Sequence, residues 1–194
     1  MFLFACTPLP GTIFSLTKFK TMKRKLTTAL LLAACIFIGI TSAKAQGYKD
    51  YVTENPDADA DIQLVSDYVN TLIAGDADKA TSMLAGNYIG YGPGPDDSAT
   101  VQQIIDSWKQ NYTMQQNRKV SFLPATFNVL SGDQAGHWVT TWGTYTFTQN
   151  GKDIKLPYQY TAHIKDGKID RDVIYFDQLA ILKRLGYTIK DPSE

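Results

Sequence analysis

Three short turn signals constrain this chain more than anything else in it. "SGD" at 131–133, "QNGK" at 149–152 and "KDGK" at 165–168 punctuate a run rich in Val, Ile, Thr, Tyr, Phe and Trp. Asn-Gly and Asp-Gly take up positive φ at the centre of a two-residue turn, the geometry that matches the twist of paired strands. Their spacing predicts strands over about 118–130, 134–148, 153–165 and 168–176, an antiparallel meander. Such a sheet must bury one face, and what precedes it has to supply the cover.

The preceding segment reads as helical. Ile62, Val65, Val69, Leu72 and Ile73 recur with helical spacing over 59–74. Asp59 or Asp61 is available as a cap, and Gly75 as a stop. A shorter helix is expected from Asp76, with Ala80, Met83 and Leu84 on one side. "NYIGYGPGPDD" reads as a short strand running into a turn, because its prolines and glycines break a ladder. A third helix is expected from about Ser98 or Thr100, with Val101, Ile104, Ile105 and Trp108 on one face. After the meander, "DQLAILKRLG" carries Leu179, Leu182 and Leu185 to a stop at Gly186. The fold class is therefore α+β: three N-terminal helices packed on a curved antiparallel sheet, plus a short C-terminal helix. Together they make a cone whose open end suits a ligand.

The first 45 residues read differently. From Met22, "MKRKLTTALLLAACIFIGITSAKAQ" has a basic start, an apolar run and Ala43-Lys44-Ala45 before Gln46. That is the pattern of a secretory signal peptide over 22–45, cleaved near Ala45/Gln46, with export to a periplasm or medium as the expectation. Residues 1–21 are read as an upstream extension, with Met22 as the initiator. "LAAC" at Cys35 offers lipoprotein anchoring as an alternative, which the apolar "IFIGI" after it disfavours. The apolar run is too short for a stable membrane span. Residues 46–58 are polar and read as a linker, leaving 59–190 as the domain.

Removing the first 45 of 194 residues leaves 149, enough for one core. Six of the 19 Lys and Arg lie in the leader and none of the 19 Asp and Glu does, so the remainder carries 13 against 19, a formal charge of −6. Such a domain lacks the basic clusters that phosphate contacts require, and nucleic acid is not an expected partner. Both cysteines, Cys6 and Cys35, fall in the leader, so no disulfide is expected in the domain. Metal and serine-hydrolase motifs (HxH, HExxH, GxSxG) are absent, and "GYGPGP" lacks the lysine of a phosphate loop. No cofactor or metal is expected.

The element order, with "VSDYVNTLIAGDADKATSML" at 65–84 and "DGKIDRDVIYFDQLAILKRLG" at 166–186, resembles the SnoaL-like branch of the nuclear transport factor 2-like superfamily. The resemblance covers about residues 59–188. It implies a cone-shaped fold that hosts cyclases, isomerases, hydrolases, dehydratases and binding domains, so function has to be argued from a site. His163 and Asp177 resemble a His and an Asp of SnoaL-type cyclases, which implies Asp177 as a base and His163 as a polarising donor. Tyr68 resembles the oxyanion-hole tyrosine of ketosteroid isomerases. The places of that family's base and neutral acid fall near Gly92 and Ala162, and neither bears a carboxyl group.

Each candidate also has a structural reading. Asp177 stands where a strand becomes a helix, an N-cap position. Strand alternation puts His163 with Gln159, Thr161 and Lys165, opposite the apolar Tyr158, Tyr160, Ala162 and Ile164, and a bulge would reverse that. Asp170, Arg171 and Asp172 read as an exposed charge cluster, with Arg171 or Asp172 as possible contributors of a polar group to the cavity. Of the many aromatics, Tyr68, Tyr88, Trp108, Trp142, Tyr160 and Tyr175 are expected to line the cavity, which suits a small apolar or aromatic ligand. The function expected is ligand binding by an exported domain, homodimeric through its sheet. The alternatives are a cofactor-free isomerase or cyclase using Asp177, and a non-catalytic structural domain.

Overall fold

The computed structural model describes residues 47–188, and the compact unit it belongs to begins at Gly47. The signal-peptide pattern, Cys35 and the upstream extension lie outside the described residues, as do the last six.

The helices are α1 (Ala58–Ala74), α2 (Ala77–Ser82), α3 (Val101–Met114) and α4 (Gln178–Leu185). The strands are β1 (Val52–Thr53), β2 (Leu84–Tyr91), β3 (Ser98–Thr100), β4 (Gln116–Val129), β5 (Gly136–Gln149), β6 (Lys152–Lys165) and β7 (Lys168–Phe176). They form one seven-stranded sheet in the order β1-β4-β5-β6-β7-β2-β3. None of the described helices is long and apolar enough to cross a membrane.

The turns behave as their sequences require. Asn150 and Gly151 (φ 52° and 72°) close β5 on β6, and Asp166 and Gly167 (φ 51° and 68°) close β6 on β7. Thr100 caps α3 through a reciprocal box with Gln103. Leu84, expected on the second helix, instead opens β2.

Two features depart from the sequence reading. The sheet is not a pure antiparallel meander, because β2 joins β7 in parallel. This swings β2 around to the far side of the meander, where the chain must cross back through α3 to reach β4. Residues 47–58 are also not an arm outside the domain. Val52 and Thr53 pair with Val129 and Asn128 on the β4 edge. Asn55 is buried and donates through Nδ2 to Asp61 Oδ2 and Thr126 Oγ1, both at 2.8 Å. A polar side chain satisfied inside the fold is an anchor, and a polar composition alone cannot distinguish it from a linker.

α1 lies across the concave face. Val65, Tyr68, Val69 and Leu72 pack with Val139, Tyr160, Ala162, Ile164 and Ile169 of the sheet. Full burial of one such aliphatic chain contributes about 1.5–3 kcal/mol. A second cluster, Tyr145, Phe147, Ile154 and Leu156, is covered by Ile181 and Leu185 of α4. Half-buried Trp108 and Tyr158 pack against both clusters.

Candidate functional site

Alternation along β7 points Asp172 inward with Ile174. Its neighbours across the ladder are Gly90 on β2 and Ala162 on β6, the two smallest side chains available. That leaves room above the carboxylate, and two tyrosines fill it. Tyr160 stands opposite Ile174, two residues beyond Asp172, while Tyr88 precedes Gly90 by two residues on the other flank. The phenols reach the carboxylate from opposite ends, and both donate to Oδ2 at 2.7 Å. Gly90 is required by this approach: a Cβ there would stand 2.4 Å from the Tyr88 hydroxyl and 3.0 Å from Asp172 Oδ1.

Tyr68 completes the group from α1. Its ring stacks on Tyr160 at 6.1 Å, and its hydroxyl interacts with that of Tyr88. Asp172 is 5 % exposed, Tyr68 and Tyr88 2 % and Tyr160 6 %. Burial raises the Asp172 carboxyl to about 6 against the hydrogen bonds of Tyr88 and Tyr160, which favour its charged form. Burial, then the negative charge of Asp172, pushes all three phenols well above the usual tyrosine range. Near neutral pH the cluster is a carboxylate held by neutral donors. Further along the interior, Trp108 packs against Tyr112 and Tyr145, and Tyr145 donates to Gln115 Oε1 at 2.7 Å. The Tyr112 hydroxyl is buried with no hydrogen-bond partner among the described residues.

Sequence reasoning marked Tyr68, Tyr88, Tyr160 and Trp108, and the structure brings all four to the concave side. Trp142 and Tyr175 are not there. They are 50 % and 51 % exposed on the convex face, because their neighbours Thr141 and Ile174 take the inward positions. His163 and Asp177 are not brought together either. The Asp177 carboxylate accepts from Ala180 N–H at 2.8 Å as the N-cap of α4. His163 keeps its convex-face parity but is buried, with a bulge immediately after it. Its Nδ1 meets Asp170 Oδ1 at 2.5 Å, its Nε2 meets Ala135 O at 3.1 Å, and its ring packs on Trp138. The covering comes from the 130–135 loop, which Trp138 Nε1 and Arg171 Nη2 also hold through the carbonyls of Gln134 and Asp133. His163 is therefore part of a loop fastening.

Sequence reasoning read Asp172 as part of an exposed charge run and named it, with Arg171, as an alternative contributor of a polar group to the cavity. Asp172 shares parity with Ile174, and it pairs with Ala162, the place at which the family resemblance looks for a carboxylic acid. The acid stands one strand over. The other histidine, His137, contacts Asp61 Oδ2 through Nδ1 at 3.0 Å and lines a groove of about 860 Å³. Among the described residues no group of three or more metal-ligating side chains converges.

No protein-family model and no curated protein matches the chain by sequence. Solved structures do match it. A Catenulispora acidiphila protein with a ketosteroid isomerase-like fold, solved in complex with trimethylamine, superposes with a TM-score of 0.53. The identity is 16 %, over 65 % of this chain and 94 % of that one. A candidate SnoaL-like polyketide cyclase from Shewanella denitrificans gives 0.51 at 17 % identity, over 63 % and 94 %. This chain has the nuclear transport factor 2-like fold. An LEH-like epoxide hydrolase of M. tuberculosis shares it, with a TM-score of 0.52 at 17 % identity over 67 % and 92 %. The nuclear transport factor 2-like cone explains why an inward strand position meets α1, the geometry that assembles Tyr68, Tyr88, Tyr160 and Asp172.

Proposed function

We propose that this protein binds a small organic molecule inside its cone, with Asp172 as the polar anchor. The observation that carries the reading is a buried carboxylate whose two hydrogen bonds both fall on Oδ2, amid three phenols. Burying a charge is costly, and a fold that needed only packing would do better with an apolar side chain there. The Tyr112 hydroxyl adds a further polar atom to the interior. Half-buried Trp108 and Tyr158 pack against both clusters, and Tyr112 packs against the first. The Catenulispora protein of the same fold holds trimethylamine, which supports a small organic guest as the kind of ligand such a cone accepts. A ligand-observed NMR screen tests the reading. Hits should be lost in Asp172→Asn, and a hit set indifferent to Asp172→Asn and Trp108→Ala would sink it.

A second reading gives Asp172 a chemical role. A carboxyl raised to about 6 is ionised at neutral pH and a stronger base than an ordinary aspartate, and buried phenols are suited to donate to a developing enolate. This supports cofactor-free proton transfer next to a carbonyl, with Asp172 as base and Tyr68 as a donor. Deuterium exchange of carbonyl compounds in D2O, lost in Asp172→Asn, is the expected result.

Two further parts of the proposal concern context. The leader pattern supports export, to be tested by N-terminal sequencing of the mature chain, expected to begin at Gln46. The convex face supports self-association. Leu123, Trp142, Gln159 and Tyr175 form one continuous row across β4, β5, β6 and β7. Leu123 is 69 % exposed, and a row this apolar suits a second copy of the chain.

A further inference from the structure

We propose that the guest held at Asp172 is an organic cation: an amine or quaternary ammonium group on an otherwise apolar small molecule. The inference rests on the interior-binding reading above and adds the sign of the ligand's charge.

The groups facing Asp172 are Tyr68 from α1, Tyr88 from β2 and Tyr160 from β6. All are neutral donors, so they orient the carboxylate without cancelling its charge. Among the described residues, ion pairs involve only His137 and His163, and Asp172 takes part in none. Arg118, the guanidinium on this side of the sheet, is committed elsewhere. It donates to the carbonyls of Ile73 and Gln115 and lies 4.8 Å from the Tyr112 ring centre. Of the two buried aspartates among the described residues, Asp61 is met by His137, and Asp172 has no protein counter-charge.

Each class of guest meets the Asp172 charge differently. An anionic guest is repelled by it across a poorly screened interior. A neutral guest leaves it as unpaired as before. A cation pairs with it, and the surrounding tyrosine rings supply the electron-rich faces that ammonium groups favour. The surplus of acid in residues 46–194, formally −6, also draws cations toward the domain and not anions.

Three probes of nearly one size and three charges separate the possibilities: tetramethylammonium chloride, tert-butanol and sodium pivalate. Each is titrated into the full chain by ligand-observed NMR at pH 8 and pH 5, with wild type and Asp172→Asn. The expected result is binding of tetramethylammonium alone, weakened about tenfold or more by Asp172→Asn. In the wild type, binding should also weaken from pH 8 to pH 5 as Asp172 takes up a proton. The pH arm needs no variant, so it decides the matter even if Asp172→Asn folds poorly. Binding of tert-butanol or pivalate as strong as that of the cation, and sensitive to Asp172→Asn, overturns the charge assignment and leaves the interior site standing. Tetramethylammonium binding that ignores both Asp172→Asn and pH overturns it too. If no probe binds at either pH, the interior-binding reading falls with it.

Discussion

At the scale of the residue, the interior is organised by size as much as by charge. Asp172 is flanked on the ladder by Gly90 and Ala162, and only that vacancy lets the phenols of Tyr88 and Tyr160 fold over it. Gly90→Ala should displace the Tyr88 hydroxyl and destabilise the fold by about 1–3 kcal/mol, measured by denaturant unfolding. The carboxyl makes a signed prediction with pH. Its folded value of about 6 lies above the unfolded 3.8, so the folded state binds the proton more tightly between those values. The stability this supplies is complete below about pH 4 and lost as pH rises through 6, roughly 3 kcal/mol in all. Asp172→Asn has no such loss, so its Tm relative to wild type should climb between pH 4 and pH 7. A difference flat with pH contradicts the assignment. Strand alternation made Tyr160 legible in the sequence, and the family resemblance marked Tyr68 on α1. Asp172 was not singled out because Asp-Arg-Asp looks solvated, and which member turns inward depends on a bulge between His163 and Ile164 that no local pattern announces.

Elements were more legible than sites, because each carries its own stop signals. The Asn-Gly and Asp-Gly turns, the Thr100 cap and the α4 cap at Asp177 all depend on short-range chemistry. The polar segment 47–58 was not legible, since its tie to β4 and Asp61 is long-range. Asp177 as a cap predicts its own mutational pattern. Asp177→Ala should cost about 1 kcal/mol, and Asp177→Asn, an equally good cap, close to nothing. Thermal unfolding of the two variants checks it, and interior binding should survive both. His163→Ala leaves Asp170 and the Ala135 carbonyl without their partner. It should cost about 1–3 kcal/mol and expose the 130–135 loop to limited proteolysis, again with binding retained.

The whole molecule divides its aromatic residues between two faces. Tyr68, Tyr88, Tyr160 and Trp108 serve the concave side, while Trp142 and Tyr175 are left on the convex side with Leu123. A count of aromatics could not make that division, but strand parity read from observed register does. If the convex row is an interface, Trp142→Glu should convert a dimer to a monomer in sedimentation velocity without changing the interior. The measurement that bears most directly on the cone as a binding site is a crystal structure of the protein soaked with a mixture of small organic fragments. A guest within hydrogen-bonding reach of Asp172 or its tyrosines is the expected result. An interior closed to every fragment, with Asp172 bonded only to Tyr88 and Tyr160, would contradict it and make the cluster a structural core.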